Sequence, residues 1–128
     1  MLHLDGSAVD LIIAERWRPE TRIGMSAVAY GETVRAAYLH PDIGNLIRKA
    51  GFVRDLPFSV IFPFDRTVAE IFAELSPRRT GGQQARDLMI AATAIARNAP
   101  LATNDRRLAA LHGASVSGRD PLEILHIE

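Results

Sequence analysis

The sequence predicts an α/β fold, an α/β/α sandwich built on a parallel sheet of four or five strands, in a single domain over residues 1–128. Two observations carry that expectation. Short apolar or β-branched stretches alternate with helical patterns through short connections, which requires parallel strands covered on both faces. One helical stretch, from Ala85 to Asn98, is apolar almost all round and must therefore be buried.

Taken in order, Leu2 to Leu4 reads as a buried strand that ends at Asp5-Gly6. A helix starts at Gly6 or Ser7 and runs to about Glu15. Ile23 to Ser26 is the second strand, and Ala27 to about Leu39 the second helix. His40-Pro41 interrupts, because a residue before proline resists helix. Ile43, Leu46, Ile47 and Ala50 then recur at helical spacing. Phe58 to Phe62 is aromatic and β-branched, a strand. Asp65 caps a helix in which Val68, Ile71, Phe72 and Leu75 form one apolar stripe. Ser76 to Gln83 reads as a loop. Pro100 to Thr103 is a strand, Asp105 to Leu111 a helix, and Ala114 to Ser117 is expected to be the last strand.

The totals exclude several classes. There is no cysteine, hence no disulfide and no thiolate metal site, and a reducing cytoplasmic setting fits. The first ten residues contain Asp5 and Asp10 and no basic start, unlike a secretion signal. No apolar run approaches the roughly 20 residues that span a bilayer, so no membrane partner is expected. The net charge is zero, yet of the 15 basic residues only Lys49 is lysine. Arginine is the better residue for bidentate phosphate contacts, although a compositional bias gives the same count.

In open parallel sheets, ligands bind at the carboxyl ends of the strands. Asp5 follows the first strand and Asp105 lies just beyond Leu101-Ala102-Thr103. Asp87 occupies the first turn of the buried helix, whose start approaches that edge. Stepping about 100° per residue, Glu32 falls between Leu39 and Ala36 on the apolar stripe of the second helix, so it points inward. Carboxylates gathered in this way repel one another by about 1–4 kcal/mol per close pair. A hard divalent cation relieves the repulsion, and an oxygen-only set suits Mg²⁺ or Mn²⁺. Each acid also has a plainer role open to it. Asp5 and Asp105 read equally as helix caps, Glu32 as a partner of Arg35, and Asp87 as an acid favoured by the helix dipole.

Five segments resemble the PIN-domain family, especially its VapC-type toxins: L-D-G-S-A-V, M-S-A-V-A-Y-G-E, V-I-F-P-F-D, R-D-L-M-I-A-A-T-A and L-A-T-N-D-R-R. They follow the family's order and spacing, and the resemblance runs from residue 2 to about 117. It implies metal-binding and catalytic roles for Asp5, Glu32, Asp87 and Asp105, with Ser7 and Thr103 as supporting hydroxyls. It further implies a Mg²⁺-dependent RNA endonuclease, a small antitoxin protein as inhibitor, and a homodimer. Two positions depart from the family: Gly6 replaces a usual hydroxyl residue and could loosen Asp5, and Leu108 replaces a frequent aromatic.

Arg86, Arg106 and Arg107, with Arg78 and Arg79, flank the proposed edge, where guanidinium groups hold RNA phosphates; a solvated basic face is the alternative. His3 reads as a packed core histidine. The helix pair around His40 carries Tyr38, Leu39, Leu46, Ile47, Phe52 and Val53, an apolar surface suited to an antitoxin or a second subunit. Two other functions compete. A haloacid-dehalogenase-type phosphatase needs an acid where Ser7 stands, and a metal-free interaction module has no need of four acids.

Overall fold

The computed structural model describes residues 1–40, 42–55, 60–78 and 82–128; the side chains of residues 46, 49, 50, 53, 54 and 78 lie outside the description. The elements in chain order are β1 (Leu2–Leu4), α1 (Gly6–Ile13), β2 (Ile23–Ser26), α2 (Ala27–Leu39), α3 (Ile43–Asp55) and β3 (Val60–Phe62). There follow α4 (Arg66–Leu75), a 3₁₀ turn (Ser76–Arg78), α5 (Ala85–Ala96), β4 (Leu101–Thr103), α6 (Arg106–Ala109) and β5 (Ile124–His126). Among the described residues the five strands are all parallel, in the order β3-β2-β1-β4-β5.

That order places β1 in the middle. The chain moves outward from β1 through β2 to β3, then crosses back to β4 on the other side. Right-handed crossovers put the helices of the outward and return paths on opposite faces. Accordingly α1, α2 and α3 pack with one another on one face, while α4, α5 and α6 form the other. The core lies on both sides of the central strands, where Leu4, Met25, Leu88 and Ala102 are all fully buried. β1, β2 and β4 are buried at every residue, as strands covered on both faces are.

Three local rules set the helix starts. Asp5, Ser26 and Asp65 each accept a hydrogen bond from the backbone N–H three residues on, at 3.0 Å. Ends differ from the sequence expectation by small amounts. The first helix stops at Ile13 because Glu15 adopts a left-handed backbone (φ 57°), and the fifth stops at Ala96 ahead of Asn98 (φ 50°). The 76–83 stretch is not wholly loop, since Ser76–Arg78 continues α4 as a 3₁₀ turn.

The last strand is a correction. Ala114 to Ser117 forms no strand, and Ile124–His126 pairs with β4 instead. Val116 does bury into the core, which explains its apolar character. Its segment is drawn into a loop by Leu122 N bonding Ala114 O and by Ser117 bonding Glu74. Phe58, Ser59, Pro41, Arg79 and the side chains of Leu46, Ala50, Val53 and Arg78 fall outside the described residues. No helix among the described residues is long and apolar enough to cross a membrane.

His3 is a core histidine, as its strand context predicts, at 2% exposure. Its ring stacks on Phe62 with centroids 4.8 Å apart, and the Arg97 guanidinium lies 4.8 Å over the same Phe62 ring. Neither imidazole nitrogen has a hydrogen-bond partner among the described residues. Burial, the Arg97 charge and the chain's amino terminus push its pKa down to about 4. The unfolded chain takes up a proton near pH 6.5, about the ordinary value for imidazole. Stability therefore falls as pH drops from about 6.5 toward 4, by up to about 1.4 kcal/mol per pH unit. Urea unfolding of wild type and His3→Leu between pH 5 and 7 checks this: the variant should lack that slope, and equal slopes would refute the account.

Candidate functional site

The strand order reverses between β1 and β4, and the crevice outside their carboxyl ends is where such sheets hold ligands. Asp5 stands there, immediately after β1, at only 6% exposure. A buried carboxylate must be hydrogen-bonded. Its Oδ1 accepts from Ala8 N at 3.0 Å and from the Ser7 hydroxyl at 2.8 Å, and its Oδ2 accepts from the Thr103 hydroxyl at 2.7 Å. Asp5 is thus both helix cap and centre of the site.

The two hydroxyls carry the connection across the sheet. Thr103 Oγ1 also accepts from Asp105 N at 2.9 Å, and Ser7 Oγ accepts from Asn104 N at 2.8 Å. The hydroxyls lie 3.2 Å apart. Thr103 is fully buried, and the backbone just past β4 is in effect tied to Asp5 through it and Ser7. Asn104 is braced in turn, its side-chain amide donating to Ile127 O at 2.7 Å. Asp105 caps α6 by accepting from Arg107 N at 2.9 Å.

Asp87 is 4% exposed, and its Oδ2 accepts from Gln84 N at 2.9 Å at the start of α5. Glu32 is only half-buried, on the wall of a cavity of about 220 Å³ lined also by Gly6, Ser7, Asp10, Thr33 and Ala36. A second cavity, about 380 Å³, lies near the amino end of β2 beside Ile12, Ile23 and Phe52, and no site acid lines it.

The acids feel one another. Burial raises the Asp5 carboxyl above its ordinary range against the pull of its three donors, and Asp105 adds to the rise. Burial also raises Glu32, opposed by Arg86; Asp87 and Asp5 add to it, and Arg35 offsets part. Glu32 therefore answers both to its neighbouring arginine and to the other acids. Arg86 Nε is 3.9 Å from Glu32 and Arg107 Nε is 3.7 Å from Asp105, so each leans on an acid; Arg106 is exposed.

The donor set is oxygen-only, carboxylates supported by hydroxyls, which fits a hard divalent cation in kind. Among the described residues no three acids or histidines are drawn into a formed metal cluster. Their carboxylates are spoken for by protein donors and arginines. The fit thus rests on donor chemistry: burial raises both Asp5 and Glu32, neighbouring acids add a smaller part, and a cation would favour the charged form of each.

Gly6 has a steric reason. A Cβ there would stand 3.1 Å from Thr33 Oγ1, which donates to Ala29 O. Glycine lets α2 close on α1, and the three donors hold Asp5 without a hydroxyl at position 6. Sequence reasoning missed Asn104, whose backbone N–H bonds Ser7, and Gln83, whose buried amide bonds the Arg107 carbonyl. Polar residues in loops carry no periodic signal, and only contacts reveal them.

Fold and site together define a parallel α/β protein with an acidic crevice at its switch point. The chain belongs to the PIN-domain family, whose model matches residues 3–113. It is similar to the solved VapBC-5 toxin–antitoxin structure from Mycobacterium tuberculosis, at 25% identity and TM-score 0.74, covering 98% of this chain and 97% of that one. FitAcB from Neisseria gonorrhoeae matches at 24% identity and TM-score 0.63, over 84% and 90% of the two chains. VapBC2 from Rickettsia felis, solved bound to a DNA fragment from its promoter, shares the fold at 17% identity and TM-score 0.70 over 100% of both chains. No curated protein sequence matches.

The wiring and the charge of this site have opposite effects on stability. Thr103→Val keeps the shape but strands a carboxylate oxygen and a backbone N–H, and should cost about 2–4 kcal/mol. Asp5→Asn keeps a cap and removes a repelled charge, and should stabilise the metal-free protein by about 0.5–2 kcal/mol. Urea unfolding of both at neutral pH is the check. A comparable loss in the two variants would make Asp5 an anchor of the fold and not a strained charge.

Proposed function

We propose that this PIN-domain protein is a Mg²⁺- or Mn²⁺-dependent endoribonuclease, the toxin half of a toxin–antitoxin pair, acting in the cytoplasm. One observation carries the reading: Asp5 and Asp105, from opposite sides of the strand-order reversal, are joined through Thr103 in a crevice that Asp87 and Glu32 border. That the similar VapBC-5 structure is of a member of a toxin–antitoxin family supports the biological role.

Asp5, Glu32, Asp87 and Asp105 would hold the cation. When bound, such an ion polarises a phosphoryl oxygen and lowers the pKa of a coordinated water. The chain's own residues do the rest. Ser7 and Thr103 fix both oxygens of Asp5, so that its orientation does not depend on the cation. Arg86 and Arg107 offset the negative charge of the crevice, and with Arg106 they offer guanidinium groups to RNA phosphates. An unpaired strand is the favoured form of the substrate because it presents its phosphates to an open crevice without a duplex to unwind, and the choice of RNA follows from the family resemblance.

Partners follow from the surface. Tyr38, Leu39, Ile43 and Ile47 are 63–73% exposed on the adjoining ends of α2 and α3. An apolar face of this kind suits an antitoxin segment or a second copy of the chain. Light scattering at micromolar concentration should give twice the 14.0 kDa of one chain; a monomer would remove the dimer from this reading.

The activity is tested with purified protein, free of any co-purified antitoxin, on structured and unstructured RNAs. Cleavage should require Mg²⁺ or Mn²⁺, stop in EDTA, prefer unpaired RNA, and fall at least about 100-fold in Asp5→Asn. Cleavage that persists in EDTA would overturn the metal-dependent mechanism.

A further inference from the structure

Asp87 and Asp105 belong to different helices, and the loop that precedes α5 runs beside α6. Gln83, in that loop, is 4% exposed, and its Nε2 donates to the Arg107 carbonyl at 2.7 Å. The carbonyl needs this partner. Asp105 O and Arg106 O take the N–H groups of Ala109 and Ala110, after which the chain tightens: Leu111 N turns to Leu108 O and His112 N to Ala109 O. The backbone thereby passes over Arg107 O, an orphan of the kind every helix end leaves.

Gly82 completes the grip. It adopts φ +70°, and a Cβ there would stand 3.4 Å from Arg107 Cδ, so the arginine stem lies across the glycine. A path of hydrogen bonds then links the acids. Asp87 Oδ2 accepts from Gln84 N at 2.9 Å, the neighbouring Gln83 bonds Arg107 O, and Arg107 N donates to Asp105 Oδ1 at 2.9 Å.

We infer that Gln83 is a positioning residue, clamping the start of α5 to α6 so that Asp87 and Asp105 hold a fixed separation for a divalent cation. The inference rests on reading these acids as cation ligands. Gln83 acts through its neighbours, the place from which supporting groups tune a metal site. A purely structural cap on α6 would alter stability alone, whereas a clamp alters how the two acids respond together.

The test uses Mg²⁺ and NMR. In the wild-type protein, the Gln83 side-chain amide and the Arg107 N–H should shift with the same apparent Kd as Asp87 and Asp105. Gln83→Met, of similar length but without a donor, should bind Mg²⁺ about 10-fold more weakly and lower kcat by a similar factor, leaving KM for RNA within about twofold. In an Asp105→Asn background the same change should alter Mg²⁺ affinity by less than about twofold, because the acid it positions is gone. If Gln83→Met does not fold, the wild-type titration decides by itself. Equal Mg²⁺ affinity in wild type and Gln83→Met overturns the clamp and leaves the metal site standing, as does a Gln83 amide that stays still while the acids shift. A wild-type protein whose acids show no response to Mg²⁺ overturns the site reading and the clamp with it.

Discussion

Burying the carboxylate of Asp5 at the carboxyl end of the central strand constrains everything around it. A carboxylate at 6% exposure needs donors, and no single element supplies enough of them. Ala8 N comes from α1, Ser7 from the same turn, and Thr103 from the neighbouring strand β4. Thr103 can reach only because β4 lies beside β1, and it lies there because the chain crosses the sheet between β3 and β4. Topology and site are therefore one requirement: a different strand order would leave a buried acid without its partner.

Each of the other acids is held in its own way. Asp105 shares Thr103 with Asp5 through its backbone N–H, and Asp87 is fixed by the amide that opens its own helix. Glu32 is half-buried and lies 3.9 Å from the Arg86 guanidinium, a loose ion pair. Exposed pairs of this kind contribute little to stability, about 0–1 kcal/mol, so Glu32 is the acid most easily recruited by a ligand. The raised pKa values of Asp5 and Glu32 agree with a crevice that holds negative charge at a cost.

Much of this was legible in the sequence. Strands read as apolar runs because both faces are covered, and the acids stand out because each follows such a run or breaks an apolar stripe. The cap at Asp65 obeys local chemistry and needed no tertiary knowledge. Asp5 offered two readings, cap or site; it serves as the first, and the second belongs to the proposed function. The final strand was misplaced because Val116 is apolar for packing and not for pairing, so a local pattern pointed to the wrong segment. Gln83 and Asn104 were invisible because what distinguishes them is a contact made far along the chain, with Arg107 and Ile127.

The Thr103–Asp5 bond joins residues 98 positions apart. Contacts of such long sequence separation are the last for which a growing chain can meet the entropy of loop closure. While the chain is being made, Asp5 exists from the start but β4 does not, and the strand beside β1 is missing. Ser7 and Ala8 follow Asp5 at once, but the Thr103 hydroxyl that holds its second oxygen arrives 98 residues later, and Asn104 is braced later still by Ile127. A partly synthesised chain therefore carries the first acid of the site in an unassembled state. The crevice can therefore come together only once β4 has been made and has paired beside β1.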